Sequence, residues 1–330
     1  MILKYRKLGK TNYNVSEISI GCWQLGGKWG TPFDEEIAYK TLNTASSNGI
    51  NFFDTADVYK EGQSEKYCGK YIKSIEKQIF IATKCGRRLN PHTSKGYNEK
   101  NIRKFIDDNI KNMNVEKIDL IQLHCPPTEV YYMPEVFKIL DNIKDEGKIQ
   151  NYGVSVEKVE EALKAIEFPN VSTIQIIFNI FRQRPSEIFF KEAKKKKIGI
   201  IVRVPLASGL LTGKFNQNTT FDDGDHRKFN RNGAAFDRGE TFSGVDFNKG
   251  LKAVEELKKI FGYPENLAPY ALRWILMFDA ISCIIPGASR DSHVLSNAQA
   301  SDLPPLSNDQ MDKIKDVYEK YIKKSVHQLW

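Results

Sequence analysis

Short runs of apolar, often β-branched residues recur along the chain. Each is followed by a longer stretch whose apolar residues return every three or four positions. The short runs predict strands near 18–21, 51–54, 79–83 ("IFIAT"), 118–123 ("IDLIQL"), 149–154, 173–177, 198–203 and 282–285. The longer stretches predict helices near 34–48, 64–76, 98–112, 134–146, 157–167, 186–197, 248–278 (two helices) and 290–300, with a final apolar helix near 307–323. The helical period is clearest in "FKILDNIKDEGK", which stops at Gly147, a residue suited to ending a helix.

Strands that alternate with helices pair in parallel. Eight such units over 330 residues predict an α/β fold of the (β/α)8 TIM-barrel type. An open, doubly wound sheet is the second arrangement considered, but no strand is followed by GxGxxG. The connection from about 207 to 247 is rich in Asn, Asp and Gly and long for a compact domain, which reads as a functional cover. No linker or low-complexity tract interrupts the chain. Residues 1–330 therefore read as a single barrel domain with a covering loop and a C-terminal helix and tail.

Composition narrows the class. Hydrophobic residues make up 41% of the chain and charged residues 27%, as in a soluble globular protein. No apolar run reaches membrane-spanning length, and the first residues lack the apolar core of a signal peptide. Five scattered cysteines without CxxC spacing predict reduced thiols in a cytoplasm rather than disulfides or zinc. The net charge of +8 resides largely on helix-like segments such as "KEAKKKKIG". No basic stripe is interleaved with aromatics, which argues against nucleic acid, while an anionic cofactor or substrate suits the charge.

In a barrel of this type the C-terminal strand ends share one mouth, where catalysis occurs. The strands deliver Asp54 with Tyr59 just beyond, then Lys84, His124, Ser155, Gln175 and Arg203, and the last ends in "IIPGASR". Singly, each has an ordinary reading: an Asp after a strand often caps a helix, and a Lys at a loop start is usually solvated. Together they suggest chemistry. Burying Lys84 requires a counter-charge, which Asp54 on the neighbouring strand supplies. A lysine held beside Tyr59 favours the phenolate, which predicts a phenol pKa lowered from about 10 toward neutrality and makes Tyr59 a general acid. His124 is placed to donate to the same oxygen. The set suits protonation of a carbonyl oxygen as it becomes an alkoxide. It lacks a nucleophile and lacks metal-ligand clustering. Only His124 of five histidines sits at a strand end, which argues against a metal-dependent hydrolase or isomerase.

At this point the chain resembles the aldo-keto reductases. The resemblance runs in order through "YRKLGKTNYNVSEISIGCWQLGG", "NFFDTADVYKEGQSEKYCGK", "FIATKCG", "IDLIQLHCPP", "YGVSVE", "VPLASGLLTGKF", "DDGDHRKFN" and "IIPGASRDSHVLSNAQA". It implies a catalytic tetrad of Asp54, Tyr59, Lys84 and His124, and NAD(P)H lying extended across the barrel mouth. Ser155 and Gln175 would then hold the nicotinamide carboxamide. Leu206, Ser208, Gly209, Leu210, Thr212 and Lys214 would cover the pyrophosphate. Gly287, Ala288, Ser289, Arg290, His293 and Asn297 would surround the adenosine end, with Arg290 the candidate partner of a 2′-phosphate, so NADPH is expected, NADH being the alternative.

Departures from the family pattern carry their own expectations. Val156 stands where many relatives have Asn. Arg203 stands where many stack an aromatic ring on the nicotinamide; its charge there would disfavour the oxidised cofactor, or it turns to a phosphate or to Asp54. Cys125 and Gly86 replace tryptophans, leaving a more open pocket walled by Trp23, Trp29, Val58 and Cys125. Arg87 and Arg88 read as a solvated pair, with an acidic substrate as their other use. The function implied is reduction of a small-molecule aldehyde or ketone. Two alternatives share the site: an NAD⁺-linked sugar or polyol dehydrogenase, and a cofactor-sensing subunit with little turnover. Substrate choice in such a fold lies in loops, here near 24–33, 86–97 and 207–247.

Overall fold

The computed structural model describes residues 3–27 and 31–330. Strands β1 (Tyr5–Lys7) and β2 (Asn14–Ser16) form an antiparallel hairpin. The next eight strands, β3 (Ile20–Gly21), β4 (Phe52–Asp54), β5 (Phe80–Cys85), β6 (Ile118–His124), β7 (Ile149–Ser155), β8 (Val171–Ile177), β9 (Gly199–Arg203) and β10 (Ile281–Ile284), pair in parallel in sequence order. Parallel bridges Ile18↔Ile284 and Gly21↔Gly287 join the two edges and make the sheet a barrel. A side chain at Gly21 would stand 2.7 Å from the Ile285 carbonyl oxygen, so only glycine permits this closure.

Helices α1 (Glu35–Ser47), α2 (Gln63–Ile72), α3 (Glu99–Met113), α4 (Pro134–Asp145), α5 (Val159–Ala165) and α6 (Phe189–Lys195) each follow a barrel strand. Between β9 and β10 lie α7 (His226–Phe229), α8 (Phe247–Ile260) and α9 (Ala268–Leu276). After β10 come α10 (Asp291–Asp302), α11 (Asn308–Tyr318) and the short α12 (Lys324–Val326). Gly147 takes φ 81° after α4, as a helix stop should. Among the described residues no helix is long and apolar enough to cross a membrane.

Every predicted barrel strand is present. Several run one or two residues further than the apolar runs suggested, because Lys84, His124 and Ser155 still belong to their strands. The hairpin was not expected: each of its strands is three residues long, too short to show a period. It plugs the bottom of the barrel. Leu8 and Val15 are fully buried against Phe52, Ala82, Leu120, Ile201 and Cys283.

That cluster explains the barrel's two zones. Side chains alternate across a strand. The outward set, such as Phe53, Ile121, Val154 and Ile174, packs beneath the helices. The inward set is apolar low down, and one step higher on the same strands it becomes Asp54, Lys84 and Gln122. The lower layer excludes water from below, so the polar layer meets solvent only through the mouth.

Helix α2 lies tight on the end of α3, where a Cβ at Gly69 would overlap the Met113 carbonyl. Gly69→Ala is expected to lower the unfolding free energy by about 3 kcal/mol, measured by chemical denaturation; an unchanged midpoint would contradict this packing.

Candidate active site

Register sets the mouth. Gln122 pairs with Lys84, His124 with Ser155, and Ser155 with Gln175, so these residues form adjoining rows across four strands. At their centre the fully buried Lys84 ammonium donates to Asp54 Oδ1, to the Thr55 carbonyl at 2.8 Å and to the Tyr59 hydroxyl at 3.3 Å. The second Asp54 oxygen accepts from Gln122 at 3.2 Å and from Gln175 at 2.8 Å. Burial works against the Lys84 charge, but Asp54 and Tyr59 outweigh it and hold its pKa above the ordinary value.

Tyr59 departs from expectation. Half-buried Tyr59 has its pKa raised, not lowered: burial dominates, Lys84 opposes it, and the charges of Asp54 and Glu240 add to the rise. The phenol therefore holds its proton firmly. The His124 ring stands edge-on to it, with ring centroids 6.1 Å apart. Burial, then the charges of Arg87, Lys84 and Arg203, push His124 well below its usual pKa, so it is neutral. Arg87 Nη1 lies 3.4 Å from His124 Nε2. The other ring nitrogen, Nδ1, is buried with no hydrogen-bond partner among the described residues.

Arg203 is turned neither to Asp54 nor outward. Its Nη2 donates to Glu157 at 2.8 Å, to the Val156 carbonyl at 3.0 Å and to Cys125 Sγ at 3.5 Å, while Nη1 stands 3.5 Å from Glu240. Arg87 is not solvated: both of its terminal nitrogens reach Glu240 Oε1 at 3.0 Å. Arg88, the exposed member of the pair, stands 3.7 Å from Asp57. Cys125, Glu157 and Glu240 lie within 4.8 Å of one another, a spacing a metal would accept, but the Arg203 guanidinium reaches all three.

Glu240 belongs to the long connection, which covers the mouth. His226 packs edge-on against Trp23 at 4.6 Å, and Phe236 lies under Arg87 at 5.6 Å. Asn230 holds the connection in shape, accepting from the Ala235 and Phe236 amides at 2.9 Å. Trp330 braces it from outside. Its indole donates to Asp237 at 2.9 Å and its ring lies 4.0 Å from the Arg182 guanidinium.

The remaining sequence candidates fall in three places. Val58 and Trp23 are half-buried beside the mouth and Cys125 is nearly buried; Trp29 lies outside the described residues. Ala207, Ser208 and Gly209 form a left-handed turn with φ of 47°, 54° and 98°, and Ser208 Oγ ties it to the Glu240 carbonyl at 3.0 Å. Leu206 and Thr212 are half-buried along this segment and Lys214 is exposed at its end, whereas Leu210 is buried in the core and faces Gly250. Across from them Gly287 is exposed and Ala288 buried, and Ser289 and Arg290 both contact the His293 ring, at 3.3 and 3.1 Å. Asn297 is buried one turn further along α10. Burial, then Arg290 and Lys214, lower the His293 pKa, so both cations stand near one ring.

Sequence reasoning missed Gln122, Glu157 and Glu240. Gln122 was within reach: it precedes His124 by two in "LIQLH", on the same inward face. Nothing in the sequence links Glu157, Arg203 and Glu240.

Comparison with known proteins agrees with this architecture. The Aldo/keto reductase family model matches residues 17–319. Aldo-keto reductase YhdN of Bacillus subtilis is 29% identical, covering 94% of this chain and 92% of the relative. Schizosaccharomyces pombe aldo-keto reductase yakc [NADP(+)] is 28% identical over 90% of this chain and 86% of its own. The solved glycerol dehydrogenase from Gluconobacter oxydans superposes with a TM-score of 0.79 at 25% identity, covering 98% of this chain and 97% of that one. With the eight-stranded barrel, these matches place the chain in the aldo/keto reductase family of oxidoreductases.

Proposed function

We propose that this protein reduces an aldehyde or ketone to an alcohol with NADPH. The observation that carries the reading is the buried Lys84 ammonium, held between Asp54 and the Tyr59 hydroxyl at the floor of the barrel mouth. The bound dinucleotide supplies a hydride. The donor set fits such an anion: the left-handed turn at 207–209 leads to Lys214, and Lys214 and Arg290 both stand near His293, bringing two cations together where a phosphate-rich ligand would lie. Ser155 and Gln175, paired across β7 and β8, would hold the carboxamide, and Cys125 Sγ lies 3.5 Å from both Ser155 Oγ and the Arg203 guanidinium.

The chain's own residues manage the proton. The hydride brings both electrons of the new C–H bond, and the carbonyl oxygen becomes an alkoxide. Tyr59 then gives its proton to that oxygen. Its raised pKa is no obstacle, because an alkoxide is a far stronger base than a phenolate. Lys84 stabilises the phenolate left behind and is itself held charged by Asp54. His124, neutral, orients the carbonyl oxygen by hydrogen bonding, with Arg87 alongside. The five buried cysteines, none of them in a disulfide, support a reducing, cytoplasmic setting.

A second reading keeps the site and runs it as a polyol dehydrogenase with NAD⁺; the likeness to a glycerol dehydrogenase favours it. Cofactor affinities separate the two. If Arg290 receives a 2′-phosphate, Arg290→Ala weakens NADPH binding about tenfold and leaves NADH binding unchanged; equal effects on both would remove the NADPH preference.

Tyr59→Phe tests the acid. Turnover of a reactive aromatic aldehyde, followed by loss of NADPH absorbance, is expected to fall by about 10²–10⁴-fold while the NADPH dissociation constant stays the same. Parallel loss of turnover and binding would refute the role given to Tyr59.

A further inference from the structure

Arg203 poses an electrostatic problem. On the nicotinamide placement proposed above, its guanidinium sits beside a ring that is neutral when reduced and cationic when oxidised. An unpaired arginine there would repel the oxidised form and bias the protein toward releasing NADP⁺. Arg203 is not unpaired. It is 8% exposed and lies between Glu157 and Glu240, and Glu240 also holds Arg87. Two guanidiniums are therefore set against two carboxylates in one partly buried cluster beside the proposed hydride site.

We propose that Glu157 is a specificity-determining residue for the cofactor's oxidation state: its carboxylate cancels the Arg203 charge and so sets how tightly NADP⁺ is held relative to NADPH. Glu157 suits this role better than Glu240 on geometry. Glu240 touches two guanidiniums and comes from the covering connection, whereas Glu157 touches one guanidinium, that of Arg203, shares a hydrogen bond with Glu240, and follows β7 directly, next to Ser155 and Val156.

Charge states point the same way. Burial raises the Glu240 pKa, but Arg87, Arg203 and a hydrogen bond with Glu157 outweigh it and bring it down to about 2. Burial pushes Glu157 up to about 7, against Arg203 and reinforced by Glu240 and Asp237. The other groups that feel its charge are Arg87, Arg182, Cys125 and Tyr131. Near neutral pH the cluster therefore alternates between a balanced state and one with an excess positive charge. Protonated Glu157 disfavours NADP⁺; ionised Glu157 accepts it. The ratio of NADP⁺ to NADPH affinity should then rise with pH. The 2′-phosphate is common to both ligands, so its own titration cancels from the ratio.

The test is equilibrium binding of NADP⁺ and of NADPH, by titration calorimetry, to the full chain and to Glu157→Gln. At about pH 8.5, above the Glu157 pKa of about 7, the variant should bind NADP⁺ about tenfold more weakly and NADPH as before. Across the range from about pH 6 to about pH 8.5, the affinity ratio should climb in the natural chain and stay flat in the variant. Glu157→Asp, which keeps the charge, should restore the slope. If the variant fails to fold, the pH series on the natural chain decides alone. A pH-independent ratio there, or equal weakening of both ligands in Glu157→Gln, overturns the inference while leaving the cofactor site intact. Failure of the natural chain to bind either ligand overturns the underlying placement as well.

Discussion

A lysine ammonium sits inside a β-barrel with no access to bulk water, and the rest of the site is arranged around that fact. An isolated charge in such a place costs several kcal/mol, and removing its partner from a buried pair typically costs about 3–5 kcal/mol. Lys84 is tolerated because Asp54 and the Thr55 carbonyl meet it. Asp54 is tolerated in turn because Gln122 and Gln175 occupy its remaining oxygen. Four strands thus contribute to one charge-balanced unit, and their relative positions are fixed by it as much as by the apolar layer beneath. The one donor direction left to Lys84 points at Tyr59. The same bonds that make the charge tolerable aim it.

A second balanced unit lies above the first. Arg87, Arg203, Glu157 and Glu240 come from three strand ends and the covering connection. Glu240 is delivered by a segment without long regular helices, so its position depends on local bonding and on Trp330 packed over Gly239 and Gly244. The covering connection is therefore joined electrostatically to the mouth on its inner side and braced by an aromatic ring on its outer side. His124 feels both units: burial first, then the arginines above and Lys84 below, keep it neutral.

The barrel was legible because its strands are short apolar runs at regular intervals and its helices keep a clean period. The candidate residues at the strand ends were legible for the same reason, since topology alone brings strand ends together. What escaped notice had one of two causes. The β1–β2 hairpin and the exact strand ends are too short for periodicity to resolve. The Glu157–Arg203–Glu240 contacts depend on where a long connection comes to rest, which no local pattern encodes. The direction of the Tyr59 shift was misjudged for a different reason. Identifying a neighbouring cation gives one contribution, but the sign depends on its size relative to burial and on the Asp54 charge that offsets it.

The plug at the base of the barrel has a consequence for how the chain assembles. Gly9 packs directly on Gly199, Arg6 bonds carbonyls of Leu276, Phe278 and Ile281, and Ile18 bridges to Ile284. This segment thus has partners 270 to 275 residues further along the sequence. Contacts so distant in sequence slow folding, because a long loop must close before they form. During synthesis the β1–β2 segment waits for these partners, and the ring can lock only after β10 has emerged.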